Sequence, residues 1–352
     1  MIDRYVSGKL KVISFVSMLL VVFRHAYNLG ENLNIAKEDC YSFFIQVFIS
    51  SGFTSIAVPV FFSISGYFLF LNKKQSFKNY RLVLSKRFSS LVIPYLFWSI
   101  SWFLLYFFKD LFIRGGADNY TLNYIINQVF INPIPLQFWF IRDLFVLVIV
   151  SPLIYFLIKY SQGFIVFFFA IIWYLNVLIS LNESIALLYF SIGSYLGING
   201  INLKSNKNYG VILIGIWLCI LFFQTFCIFN SHYNTSILEV IQNDHLINLL
   251  DKSGIIIGIL AVWNIYDFLF KNVDVLNLKW FSLTTFSFFI YAFHLPLLWM
   301  MPNWIYGHVG KNQFSLLIYF VSPTVIILFS LFLGKFLKKN TPVFFGLITG
   351  GR

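Results

Sequence analysis

The stretch KVISFVSMLLVVFRHAYN, Lys11 to Asn28, decides how the rest of the chain is read. From Val12 to Phe23 it is apolar apart from Ser14 and Ser17, and it approaches the roughly 20 residues that an α-helix needs to cross a bilayer. It then carries Arg24 and His25 side by side, just before Tyr27 and Asn28. No small-residue cleavage site follows, because HAYNLGENL is bulky and polar. The segment is therefore read as a retained membrane helix and not as a removable leader.

The same pattern recurs along the chain. Of 352 residues, 59% are hydrophobic and only 11% are charged, against about 25% charged in a soluble domain. Aromatic residues make up 21%, with 45 Phe, which suits a surface that faces lipid. The expected fold is an all-α polytopic membrane protein, a bundle of about ten transmembrane helices. Their expected positions are near 11–28, 52–71, 90–108, 138–158, 164–181, 185–200, 209–229, 253–270, 281–301 and 314–334. The apolar stretch 41–51 either lengthens the second span or lies along the interface. Residues 1–352 are expected to form one membrane domain with no soluble domain beside it, and 109–137 and 230–252 are the longest connections.

Charge placement sets the expected orientation. With the N-terminus in the cytoplasm, most of the 25 Lys and Arg residues fall on the inner side, the asymmetry of the positive-inside rule. Both termini are then cytoplasmic. The net charge of +12 reflects topology and attraction to anionic lipid, and no nucleic-acid partner is expected. Cys40, Cys219 and Cys227 have neither metal-ligand spacing nor a disulfide framework, and no metal is expected.

Three spans bring ionisable groups to one depth. His25 lies fourteen residues beyond Lys11, roughly 21 Å along the helix at about 1.5 Å per residue. His294, in WFSLTTFSFFIYAFHLPLLWM, and the pair Arg142–Asp143, in LQFWFIRDLFVLVIVSPLIY, reach similar heights in their own spans. Ionisable residues inside membranes usually face a bundle interior, so a shared polar pocket is expected. The plain alternative for His294 is an interfacial residue. For Arg142 and Asp143 it is a snorkelling cation beside an acid at a helix start. At the other membrane face, KNYRLVLSKRFSSLVIPYLFW sets Lys78, Arg81, Lys86 and Arg87 ahead of span three. These suit phosphate binding, although positive-inside topology explains them as well. Ser63, Ser65 and Gly66 in VPVFFSISGYFLF permit close approach of a helix or a ligand.

Taken in order, LLVVFRHAYN, VPVFFSISGYFLF, KRFSSLVIPYLFW, FWFIRDLFVLVIVSPLIY and SFFIYAFHLPLL resemble the acyltransferase-3 family of integral membrane acyltransferases. Members of that family commonly O-acetylate bacterial cell-envelope carbohydrates. The resemblance implies acyl transfer from cytoplasmic acyl-CoA, acetyl-CoA above all, to a carbohydrate hydroxyl on the far side of the bacterial cytoplasmic membrane. It implies that His25 is the catalytic histidine and that Arg87, with Lys86 beside it, engages CoA, with Arg81 as a further candidate. Where the family has Arg or Lys eleven residues before its histidine, this chain has Ser14. Lys11 reaching along the helix, positive charge from Arg24 and Arg142, or an impaired copy would each account for that departure.

On this reading His25 acts as general base or as acyl carrier. Arg142 and then Tyr291 are the candidates to steady charge on the thioester oxygen, His294 belongs to the site, and Asp143 orients His25 or pairs with Arg24. The competing readings are a transporter or flippase of a glycan or lipid-linked intermediate, and a non-catalytic relative that serves as a scaffold.

Overall fold

A computed structural model of the chain describes residues 3–26, 40–71, 77–113, 120–177, 180–201, 203, 209–233, 244–309 and 314–351. Among these residues every regular element is helical and none is a strand. That is the outcome lipid enforces on an open chain, because a helix satisfies its own backbone polar groups. Eight helical runs are long and apolar enough to span: Arg4–His25, Cys40–Phe70, Lys78–Phe112, Leu136–Tyr160, Gly210–His232, Asp244–Phe270, Lys279–Met301 and Ser315–Asn340. The two other expected spans are the 12-residue Phe164–Leu175 and the 18-residue Leu181–Ile198.

The α-helices in chain order are α1 (Arg4–His25), α2 (Cys40–Val47), α3 (Ala57–Phe70), α4 (Phe77–Arg87), α5 (Ile93–Ile113), α6 (Leu122–Ile126) and α7 (Trp139–Tyr160). They continue with α8 (Phe164–Leu175), α9 (Leu181–Ile198), α10 (Gly210–Tyr233), α11 (Asp244–Phe270), α12 (Ser287–Val309), α13 (Ser315–Asn340) and α14 (Pro342–Thr349). The stretch 41–51 lengthens the second span, since α2 runs into α3 through a π-turn at Phe48–Gly52 and a 3₁₀ turn at Phe53–Ile56. Helix α11 starts at Asp244, ahead of the apolar stretch near 253–270, and its first turns mix Asp244, His245 and Asn248 with Leu and Ile. Helix α14 has eight residues, too few to register as a span. Tyr27 and Asn28, most of loop 29–42, part of loop 109–137 and much of 230–252 lie outside the described residues.

Local chemistry explains the breaks. Pro94 has no N–H to offer the carbonyl of Ser90, and the helix relaxes there into a π-turn at Phe88–Val92 between α4 and α5. Onto the same spot folds the end of α14: Trp98 Nε1 donates to the Ile348 carbonyl at 3.0 Å. Gly350, with φ of +70°, lies so near Ser90 that a Cβ would strike its backbone. The small residues of α3 do what their spacing suggests. Gly66 abuts the Phe190 carbonyl and Ser194, and Gly193 and Gly197 of α9 abut the backbones of Ser63 and Tyr67. Helices α3 and α9 thus meet backbone to backbone.

Helix α1 is the centre of the bundle and packs against α3, α11, α12 and α13. Asp3 caps its start by accepting from the Tyr5 N–H. One turn on, Lys9 is fully buried and its Nζ lies 2.6 Å from Asp267 of α11. The second oxygen of Asp267 accepts from the Tyr5 hydroxyl at 2.7 Å, and the ammonium stands 4.0 Å from the centre of the Trp263 ring. Arg4 meets Asp274 nearby at 2.8 Å, so this is the basic end of the bundle.

Removing one partner of a buried ion pair costs about 3–5 kcal/mol, whereas replacing both with apolar groups is often tolerated. Asp267→Ala should therefore sharply lower the melting temperature of the detergent-purified protein. The double substitution Lys9→Met, Asp267→Leu should recover most of the loss.

Candidate functional site

The site is built from one row of α1. Ser7, Lys11, Ser14, Met18, Val21 and His25 recur at steps of three and four residues, which keeps them on one helical face. All six line a single cavity of about 550 Å³. Its other walls come from α3 (Val58, Phe61, Ser65), from Arg87 at the end of α4, from Gln137, Trp139, Phe140 and Leu144 leading into and along α7, and from Thr284, Phe288 and Tyr291 leading into and along α12. At the basic end stand Lys11, Arg87 and the hydroxyl residues Ser7 and Thr284; His25 and Tyr291 stand further along α1 and α12. Roughly 21 Å of helix separates Lys11 from His25, at about 1.5 Å per residue.

The cavity is cationic. Among its lining residues Lys11 and Arg87 are cations, and none is an Asp or Glu. Neither cation takes part in an ion pair among the described residues. Between the basic end and His25 the walls are largely apolar, formed by Met18, Val21, Phe61, Leu91 and Phe140. Lys86 and Arg81, expected beside Arg87, are exposed and are not among the lining residues.

At the deep end two of the three expected groups meet. The rings of His25 and His294 have centroids 5.5 Å apart, with their planes tilted by 40°. His294 is fully buried, and its Nδ1 lies 2.8 Å from the Tyr291 carbonyl oxygen. That same oxygen accepts from the Gln137 side-chain amide at 3.3 Å. In return, the Tyr291 hydroxyl donates to the backbone carbonyl of Gln137. Gln137 and Tyr291 are thus doubly clasped, and His294 shares the clasp.

The third group stands apart. Arg142 Nε donates to Asp143 at 2.8 Å, and its Nη1 donates to the Ile131 carbonyl at 2.6 Å. Neither Arg142 nor Asp143 is among the cavity-lining residues; His294 is not one either, but it stands directly behind His25, which is. Asp143 is buried, and its Oδ2 has no hydrogen-bond partner among the described residues. Arg24 turns elsewhere too: Nη1 lies 3.3 Å from the Ser50 carbonyl, and the guanidinium interacts electrostatically with Asp251 of α11. Of the residues expected to carry positive charge near His25, Lys11 shares its cavity, while Arg24 and Arg142 are engaged outside it.

Gln137 was missed in the sequence. A glutamine in the NPIPLQFW turn ahead of a membrane helix resembles any interfacial polar residue, and only the fold shows it clasped to Tyr291. The polar row of α1 was legible, because Ser7, Lys11, Ser14 and His25 already share a helical phase in the sequence.

Cations at one end, an apolar middle and a histidine at the other are thus gathered in one cavity within the bundle. The chain belongs to the acyltransferase-3 family: the family's acyltransferase domain matches residues 9–350. It is an acyltransferase-family, multi-pass membrane protein. It is similar to the succinoglycan biosynthesis protein ExoH of Rhizobium meliloti (strain 1021), with 26% identity over 367 aligned positions that cover 99% of this chain and 94% of that one. No solved structure matches it.

The separation of Arg142 from the cavity has a measurable consequence. Arg142→Ala leaves the Asp143 carboxylate buried without its cation; because the Arg142 side chain is 31% exposed, the loss falls below the figure of about 3–5 kcal/mol for a fully buried pair. It should appear as a lowered melting temperature, and Arg142→Ala combined with Asp143→Ala should regain most of it.

Proposed function

We propose that the protein transfers an acyl group, acetyl in the first instance, from acyl-CoA to a hydroxyl of an envelope carbohydrate. The supporting observation is that Arg87, Lys11 and His25 line one cavity. An acyl-CoA is a polyphosphate joined to a long, thin thioester arm. The phosphates pair with Arg87 and Lys11, which have no ion-pair partner among the described residues, and the arm runs along Ser14, Met18 and Val21 to bring the thioester to His25. The basic end is the cytoplasmic one by the positive-inside rule, so donor and acceptor approach from opposite sides of a bacterial cytoplasmic membrane. The name of the relative ExoH, a succinoglycan biosynthesis protein, supports an exopolysaccharide or similar glycan as the acceptor.

The chemistry follows from a neutral imidazole. His25 takes the proton of the sugar hydroxyl as the oxygen attacks the thioester carbonyl. The tetrahedral intermediate then collapses, the carbon–sulfur bond breaks, and the thiolate leaves with the proton returned by His25, giving an ester and free CoA. A variant route carries the acyl group on His25 first. The Tyr291 hydroxyl, held by the Gln137 carbonyl, shapes the deep end, and Arg142 acts from outside the cavity.

Two outcomes test this reading. Alkali-labile acetate on purified envelope glycan should be absent from a deletion strain and restored by the wild-type chain. His25→Ala at matched membrane levels should lower transfer by about 10²–10⁴-fold. Equal restoration by His25→Ala would remove that residue from the mechanism. Separately, Arg87→Ala and Lys11→Ala should each raise the donor KM about tenfold or more, since a hydrogen bond to a charged group is worth about 1.5–3 kcal/mol. Lys86→Ala and Arg81→Ala should change it less. Donor KM left unmoved by Arg87→Ala would defeat the phosphate assignment.

A further inference from the structure

The geometry points to His294 as the positioning residue that fixes the tautomer of His25, and to the carbonyl of Tyr291 as what prepares His294 to do so. The inference rests on the reading of His25 as the base. His294 Nδ1 lies 2.8 Å from the carbonyl oxygen of Tyr291 and 3.3 Å from that of Ile290. Carbonyl oxygens only accept, so Nδ1 carries the proton and Nε2 of the neutral ring is a bare acceptor. That Nε2 is buried and has no hydrogen-bond partner among the described residues. A buried acceptor left without a donor is costly, and such atoms are uncommon in native proteins.

The neighbour able to answer it is His25. Its ring is half-buried and stands with its centroid 5.5 Å from that of His294. An N–H···N contact of about 3 Å between two imidazoles places their centroids roughly 5–6 Å apart. The rings already have the separation that such a bond requires, and a rotation of His25 about its side-chain torsions aligns it. His25 then donates one N–H to His294 and turns its other, unprotonated nitrogen to the cavity. This is the orienting task that a carboxylate performs in a Ser-His-Asp triad, done here by a group without charge. When His25 takes the hydroxyl proton, it keeps its N–H on His294 Nε2, and the added proton goes on to the departing thiolate. Gln137, which donates to the same Tyr291 oxygen at 3.3 Å, braces that carbonyl and so the tautomer of His294.

The experiment compares purified wild type, His294→Ala and His294→Gln in lipid nanodiscs, using labelled acetyl-CoA as donor and purified envelope glycan as acceptor, with acetyl-CoA binding measured on the same samples. Gln restores an acceptor oxygen near the place of Nε2; Ala does not. The expected result is a fall in kcat of about 10–100-fold for His294→Ala with donor KM within twofold of wild type, by analogy with the loss when the partner that orients a metal-binding histidine is removed. His294→Gln should recover most of that loss. Unchanged kcat in His294→Ala, equal loss in both variants, or loss of donor binding together with activity would each make His294 a packing residue and overturn the inference. A wild type that binds acetyl-CoA but transfers nothing would overturn the acyl-transfer reading itself, and is told apart because it does not involve the variants.

Discussion

The contact between Lys9 and Asp267 sets the frame for everything else. An ammonium with no exposure, 2.6 Å from a carboxylate, is a modest contributor to net stability, because desolvation of both charges offsets most of their attraction. Its effect is on register. Apolar helices can slide or rotate past one another at little cost, since one leucine packs much like the next; a buried charge tolerates only the position where its partner stands. With α1 pinned to α11 at Lys9, residues on the α1 face that includes Ser7, Lys11, Ser14 and His25 are committed to the cavity.

The bundle was legible in the sequence because lipid leaves an open chain little choice of fold, and runs of apolar residues announce themselves. Its irregularities were less so. The π-turn before Pro94 follows from a missing N–H, yet the seat it makes for α14 depends on residues far along the chain, from Trp98 and Ser90 to Ile348 and Gly350. Depth was well read from helical rise, which placed His25 and His294 at one level, and they meet. It also placed Arg142 and Asp143 there, but depth carries no information about rotation. Arg142 is turned to the Ile131 carbonyl and to Asp143, and Asp143 is buried beside it.

The same distinction settles how the chain carries positive charge. Arg24 adjoins His25 in sequence, yet adjacent residues on a helix point about 100° apart, and Arg24 reaches the Ser50 carbonyl. Lys11, fourteen positions away, returns to the face of His25. Ser14, standing where a basic residue is usual in the family, lies on that face too, one turn beyond Lys11. Within this cavity the lysine of α1 therefore stands at Lys11, one turn before Ser14 on the same face.

A cavity with cations at one end and a histidine at the other has to reconcile access with insulation. A continuous column of water from Lys11 to His25 would conduct protons and hydrolyse a thioester. The apolar middle of the cavity, at Met18, Val21, Phe61, Leu91 and Phe140, disfavours such a column and suits a thin, mostly uncharged arm. The polar groups beyond it are largely occupied with one another: Gln137 with Tyr291, Tyr291 with Gln137, His294 with the Tyr291 carbonyl. What that clasp leaves unanswered is acceptor capacity, at His294 Nε2 and Gln137 Oε1. Both atoms are buried, so the groups able to answer them are those of the neighbouring side chains, the His25 ring first among them.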